Sequence, residues 1–253
     1  DPARDGVPPY TVAMAMSAGW SWRVPLFHRF GTGYVYSSAH ISREAAEAEL
    51  RTSLGDRAGD EATHIRMRVG RSRRSWVGNC LAVGLSSCFL EPLESTAIFL
   101  TEFQLAQFVS LFPSKRFSAA RINRYNQSIA EMYDHIRDFI VMHYCTTQRE
   151  DSTFWQTVKN GLPIPDSLAE ILEAYAAGVM PDDKLHFRLF RARSYASILS
   201  GMGVYPEFGP PILDHVDPAP GAELLEAVAN RQRRAANFFP EHYELLVDMN
   251  SES

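Results

Sequence analysis

The spacing of apolar residues changes partway along this chain, from a period of two to a period near four. From Tyr10 to Met16, from Trp20 to Leu26 and from Tyr34 to Ser37, apolar and polar positions alternate as in strands with one face on a core. Three such runs in close succession predict an antiparallel meander, with a turn at Gly31, Thr32 and Gly33 between the last two. Ser42 stands where a hydroxyl would cap a helix over 43–54. A further alternating run over 64–69 puts Ile65, Met67 and Val69 on one face and Arg66 and Arg68 on the other. Cys80 to Val83 reads as a short buried strand that leaves its sheet at Gly84, through a turn needing a residue without a Cβ.

Beyond Thr96 the helical period takes over. Residues 96–112 read as a helix with Ser95 as its N-cap, and Ile122, Tyr125, Ile129, Met132, Ile136, Phe139 and His143 form the apolar stripe of a long helix over 119–144. Shorter helices are predicted over 153–160, 168–177, 194–200 and 222–238, with prolines such as Pro181 and Pro210 in the loops between them. The fold class that follows is α/β, or α+β within this segment, with a sheet-rich part over 1–95 and a mostly helical part over 96–253.

With 253 residues, 45% of them hydrophobic, the chain can bury a sizeable core in one or two domains. A net charge of −5 argues against a nucleic-acid partner, since tracking phosphates needs a basic surface. No apolar run is long enough for a membrane span, so no membrane partner is expected. Three cysteines without zinc-like spacing suit a reducing cytoplasm. No metal is expected either: His135 and His143 stand about two helical turns apart, and His143 reads as a satisfied core histidine. The cluster Arg66, Arg68, Arg71, Arg73 and Arg74 reads as a solvated face before it reads as a phosphate patch.

The densest chemistry lies between Gly78 and Ala97, where a strand, a glycine turn, two carboxylates and a helix start follow one another. At that start the N–H groups of Thr96 and Ala97 lack partners within the helix and face the positive end of its dipole, a place for a small anion. Glu94 immediately precedes them. It is either a general base and hydrogen-bond acceptor or a carboxylate drawn to the dipole, and Glu91 takes the structural role. Trp20 and Trp22 share one strand face, as the wall of a flat aromatic pocket or simply as core.

Two separated segments, GWSWRVPL over 19–26 and LEPLEST over 90–96, resemble the flavin-dependent tryptophan halogenases. The family's W-x-W-x-I-P signature falls on Trp20, Trp22, Val24 and Pro25, with valine for isoleucine, and the likeness runs on to about Thr153. The resemblance implies the C-terminal part of a FAD-binding, monooxygenase-like domain followed by a helical substrate-covering domain. It implies Glu94 as the active-site glutamate and a halide held by Ser95, Thr96 and Ala97, the last an alanine where the family usually has glycine. It further implies flavin contacts from Gly84, Leu85, Pro92 and Ile98, and contacts to an aromatic substrate from Trp20, Trp22, Phe89 and Tyr195.

The cofactors implied are FAD, delivered reduced by a flavin reductase, and chloride, which becomes hypochlorous acid and chlorinates an indole. The family's dinucleotide-binding glycine motif and catalytic lysine have no counterpart here, since Lys115, Lys159 and Lys184 lie in other contexts. The chain therefore reads as the C-terminal half of a longer enzyme, inactive alone, with an N-terminal half as its partner and room for a homodimer. Over 186–203 the family's Phe-Glu and Ser-Trp pairs become Phe190-Arg191 and Ser194-Tyr195. A cation at Arg191 repels the ammonium of free tryptophan, so an indole within a peptide, or another aromatic small molecule, is the expected substrate. The alternatives are a flavin monooxygenase that hydroxylates an aromatic ring, and a helical peptide-binding module without chemistry.

Overall fold

The meander forms as strands β1 (Val12–Met16), β2 (Gly19–Pro25) and β3 (Phe30–Tyr36), antiparallel in the order β1-β2-β3. The computed structural model describes residues 7–26, 28–59, 61–180, 189–207, 209 and 214–251. Two compact units emerge, residues 1–60 with 208–253 and residues 61–207, so 61–95 belongs with the helices that follow it.

In the first unit the expected turn is displaced. Gly31 and Gly33 lie inside β3, opposite Val24 and Trp22, and the chain reverses between β2 and β3, where Leu26 N–H donates to Arg29 O at 2.8 Å. The glycine at 33 serves packing: a Cβ there would stand 2.0 Å from the Trp22 indole, which folds over this position. Trp20 is buried beside it, with the two ring centroids 5.9 Å apart. Helix α1 (Arg43–Leu54) starts as predicted, the Ser42 hydroxyl accepting from Ala45 N–H. From its middle Glu49 clips the β1–β2 turn, accepting from Ser17 N–H at 2.8 Å, from the Ser17 hydroxyl at 2.7 Å and from the Tyr34 hydroxyl at 3.0 Å.

The second unit has little sheet. The expected strand over 64–69 does not form; the backbone there is irregular, and Ile65 is 79% exposed. Alternation alone cannot hold a strand without a partner edge and a core to cover, and pairing begins only at β4 (Gly70–Arg71). Strand β5 (Trp76–Val77) turns at Gly78 onto β6 (Cys80–Leu81), shorter than the predicted 80–83, and β7 (Cys88–Phe89) pairs with β4. Arg71 is no free cation: it reaches Asp134 at 3.1 Å and lies over the Tyr133 ring.

Helices follow as α2 (Ala97–Ser110), α3 (Ala119–Cys145), α4 (Thr153–Gly161), α5 (Asp166–Ala176) and α6 (Ala192–Gly201). The 27-residue α3 is the axis of the unit, burying Ile122, Tyr125, Ile129, Met132, Ile136 and Phe139 at the predicted spacing. Trp76, 1% exposed, pins the hairpin to it: its N–H donates to Asn126 Oδ1 at 2.9 Å and its carbonyl accepts from Asn126 Nδ2 at 2.8 Å. Back in the first unit stand α7 (Ala219–Phe238) and α8 (His242–Ser251). The alternation of Tyr243, Leu245, Val247 and Met249 hides the last of these from sequence reading. No helix among the described residues is long and apolar enough to cross a membrane.

Tyr125 offers a test of the α3 core. Its phenol is wholly buried and its hydroxyl finds no hydrogen-bond partner among the described residues. Burial, aided by Cys88, pushes its pKa up from 10 to about 12. Because the folded value lies above the unfolded one, the associated stability is complete below pH 10 and is lost as pH rises toward 12. Tyr125→Phe should be neutral or slightly stabilising at pH 7 in denaturant titrations, since no bond is broken, and should lose less stability than wild type between pH 10 and 12. An equal alkaline loss in both proteins would exclude Tyr125 as its source.

Candidate functional site

Between β6 and α2 the chain makes three sharp changes of direction. Gly84, with φ +63°, opens a 3-10 turn over Gly84–Ser86; Pro92–Glu94 forms a second. Ser95 then takes a left-handed conformation, φ 53° and ψ 34°, with its N–H donating to Pro92 O at 2.9 Å. Ser95 is therefore not the N-cap expected from sequence; Thr96 is, and no side chain caps α2. The backbone ladder starts at Leu100 N–H to Thr96 O, 2.9 Å, so the N–H groups of Ala97, Ile98 and Phe99 have no carbonyl one turn back. A left-handed non-glycine residue costs roughly 1–2 kcal/mol. Here it sends the residues on either side of it to different tasks.

On one side Thr96, 4% exposed, lines a cavity of about 190 Å³. Gly84, Leu85, Phe89, Ala97 and Ile98 line it too, which brings together six of the residues singled out from sequence. Cys88, Leu90, Leu100 and Thr101 complete the wall. Burial pushes the Cys88 thiol up from its ordinary pKa, which keeps it protonated and a poor nucleophile at neutral pH.

On the other side Glu94 turns to α3, its Oε1 2.9 Å from His143 Nε2. The opposite ring nitrogen, His143 Nδ1, is 2.8 Å from Phe139 O. A carbonyl can only accept, so Nδ1 is the donor there, and Nε2 faces the Glu94 carboxyl group. Glu91 is held in parallel, with the Tyr144 hydroxyl 2.7 Å from both of its oxygens. Adjacent residues of one helix thus orient both carboxylates. Behind His143, Phe139 packs edge-on at 5.1 Å and stacks on Phe190 at 3.8 Å.

Not every predicted residue reaches the cavity. Glu94, Ser95 and Pro92 flank it in the chain without lining it, Trp20 and Trp22 belong to the first unit, and Tyr195 is fully buried against Phe139 at 5.0 Å. Of the 186–203 segment, 186–188 lie outside the described residues, as does Lys184; Arg191 is exposed just before α6. The pairing of His143 with Glu94 was not foreseen, because a histidine on an apolar stripe looks like core and nothing local names its partner. Among the described residues no group of three or more His, Cys, Asp or Glu is placed to hold a metal ion.

Known proteins resemble this chain in sequence and overall fold over nearly its whole length. The family model described as tryptophan halogenase matches residues 2–218. The tryptophan 6-halogenase SttH of Streptomyces toxytricini is 41% identical over 248 residues, covering 96% of this chain and 47% of its own length. Among solved structures, Tar14, a tryptophan C-6 flavin-dependent halogenase from taromycin biosynthesis, superposes with a TM-score of 0.92 at 38% identity, over 99% of this chain and 50% of its own. MibH, described as a lathipeptide tryptophan 5-halogenase, does so at 0.82 and 31% identity, over 95% and 46%. The chain thus spans about half the length of the relatives it matches. On this extent of shared sequence and fold, the chain belongs to the tryptophan halogenase family.

Proposed function

We propose that this chain forms the halide-holding and substrate-facing part of a flavin-dependent halogenase that places chlorine on an indole ring. The observation that carries the reading is a cavity built against the uncapped N-terminus of α2, with Glu94, paired to His143, two residues before Thr96 of its wall. Its volume, about 190 Å³, is below the roughly 300–1,000 Å³ of a complete ligand pocket. Apolar Leu85, Phe89 and Ile98 with the free N–H groups fit the edge of a flat ring and a monatomic anion, so the rest of FAD is held by another part of the protein. We assign flavin contacts to Gly84, Leu85 and Ile98 of the cavity wall.

Bound reduced FAD supplies, with oxygen, the oxidising power that turns chloride into hypochlorous acid. The N–H groups of Thr96 and Ala97 hold the chloride in place, and the apolar wall excludes competing water. On the substrate side a ring C–H is exchanged for C–Cl; the ring proton and the hydroxide half of hypochlorous acid leave as water. Glu94 is the station for that proton, and His143 keeps its carboxylate aimed and takes up part of the charge. Arg191, exposed before α6, disfavours a free amino acid's ammonium, which favours an indole carried in a peptide.

The test is product mass. Full-length protein is incubated with FAD, a flavin reductase, chloride, oxygen and either L-tryptophan or a tryptophan-containing peptide. A chlorine isotope pattern on the peptide, and little on the free amino acid, is the expected result. A gain of oxygen in place of chlorine would show a hydroxylase, and equal chlorination of both substrates would remove the role given to Arg191.

A further inference from the structure

Gln104 lies in the interior of α2, is 0% exposed, and has no place in the chemistry above. Its carbonyl Oε1 accepts from Gly84 N–H at 2.7 Å, and its Nε2 donates to the Ser87 hydroxyl at 2.8 Å and faces Cys88 Sγ at 3.4 Å. Ser87 is tied in turn to Ser75 by a 2.6 Å contact between hydroxyls. Both donors of the amide and its carbonyl oxygen have partners. These partners belong to the different segments that wall the cavity: Gly84 in the 3-10 turn, Cys88 on β7, and Gln104 itself on the helix that contributes Thr96 and Ala97.

We propose that Gln104 is a positioning residue that sets the Gly84 turn and β7 against the N-terminus of α2, so that the cavity fits the flavin edge. This rests on the reading that the cavity takes flavin. The turn sits directly on the helix: a Cβ at Gly84 would stand 3.3 Å from Thr101 Oγ1. Its N–H points at a surface whose backbone carbonyls are already spent on the helix ladder, so a side chain must supply the acceptor. A leucine would fill the same space but leave Gly84 N–H and the Ser87 hydroxyl without this partner, so the amide fixes the turn and β7 at hydrogen-bond distance from α2.

The test reads FAD affinity by flavin fluorescence in the full-length protein, apart from turnover. Gln104→Leu and Gln104→Met should each weaken FAD binding by at least about tenfold with helix content retained. Leu199→Ala, which removes a fully buried side chain of a different core cluster in the same unit, should lower the thermal midpoint and leave FAD affinity unchanged. Ala97→Trp, which fills the cavity, checks the underlying reading. If Ala97→Trp loses FAD while both Gln104 variants bind within about twofold of wild type, the positioning role is wrong and the flavin cavity stands. If all three bind normally, both are wrong. Should neither Gln104 variant fold, the wild-type Gly84 amide decides: slow hydrogen exchange, slowed further by FAD, is expected, and exchange at the solvent rate would overturn the proposal.

Discussion

Exchanging Glu94 for glutamine in the full-length enzyme should cut chlorination by at least about tenfold while FAD binding stays intact, the loss typical of an acid/base group. The change keeps length and volume, and the amide can still meet His143 Nε2 at the observed 2.9 Å. What it removes is a site that holds a proton. The loss should therefore fall on kcat, with KM for the indole nearly unchanged, because the missing interaction acts only as the ring proton leaves. His143→Phe should lower kcat less than Glu94→Gln and alter the pH–rate profile, since it takes away the partner that fixes the carboxylate and leaves the carboxylate itself. Turnover by Glu94→Gln equal to wild type would take Glu94 out of the mechanism.

The largest expected loss of stability is at Gly19. Its φ of +155° is one that side chains avoid, and an added Cβ would lie 2.0 Å from the carbonyl oxygen of Val35 on the neighbouring strand. That obstacle is backbone in a continuous ladder: Gly19 pairs with Tyr36, and Ser37 N–H donates to Ala18 O at 2.9 Å. The strands cannot part locally without giving up those bonds and the register that seats Trp20. Gly19→Ala should destabilise the first unit by at least about 3 kcal/mol, in the range reserved for backbone and core disruptions. Gly33→Ala meets the end of an indole, which can rotate, and should cost less. Tryptophan fluorescence during denaturation measures both, and an unchanged midpoint for Gly19→Ala would refute the assignment of strain.

Much of this protein is written in spacing. The stripe from Ile122 to Phe139 predicts the burial of α3 residue by residue, and Ser42 marks the start of α1. The segment from Gly84 to Ile98 can be read as one site because its members are neighbours in the chain, and the cavity does gather Gly84, Leu85, Phe89, Thr96, Ala97 and Ile98. Local pattern misleads where the outcome depends on something distant. The alternating 64–69 run finds no strand to pair with, and Gly33 looks like a turn until the Trp22 indole is seen lying on it.

Only the tertiary structure decided what the two sides of Ser95 do. The left-handed residue is not marked by any glycine, and it alone parts Thr96, at the cavity, from Glu94, at His143. The union of Gln104 with Gly84, Ser87 and Cys88 was equally hidden, since a glutamine on a helix reads as surface. Periodicity reports which face of an element meets a core. It carries no record of which far residue waits there, and a buried hydrogen bond is a fact about two places in the chain at once.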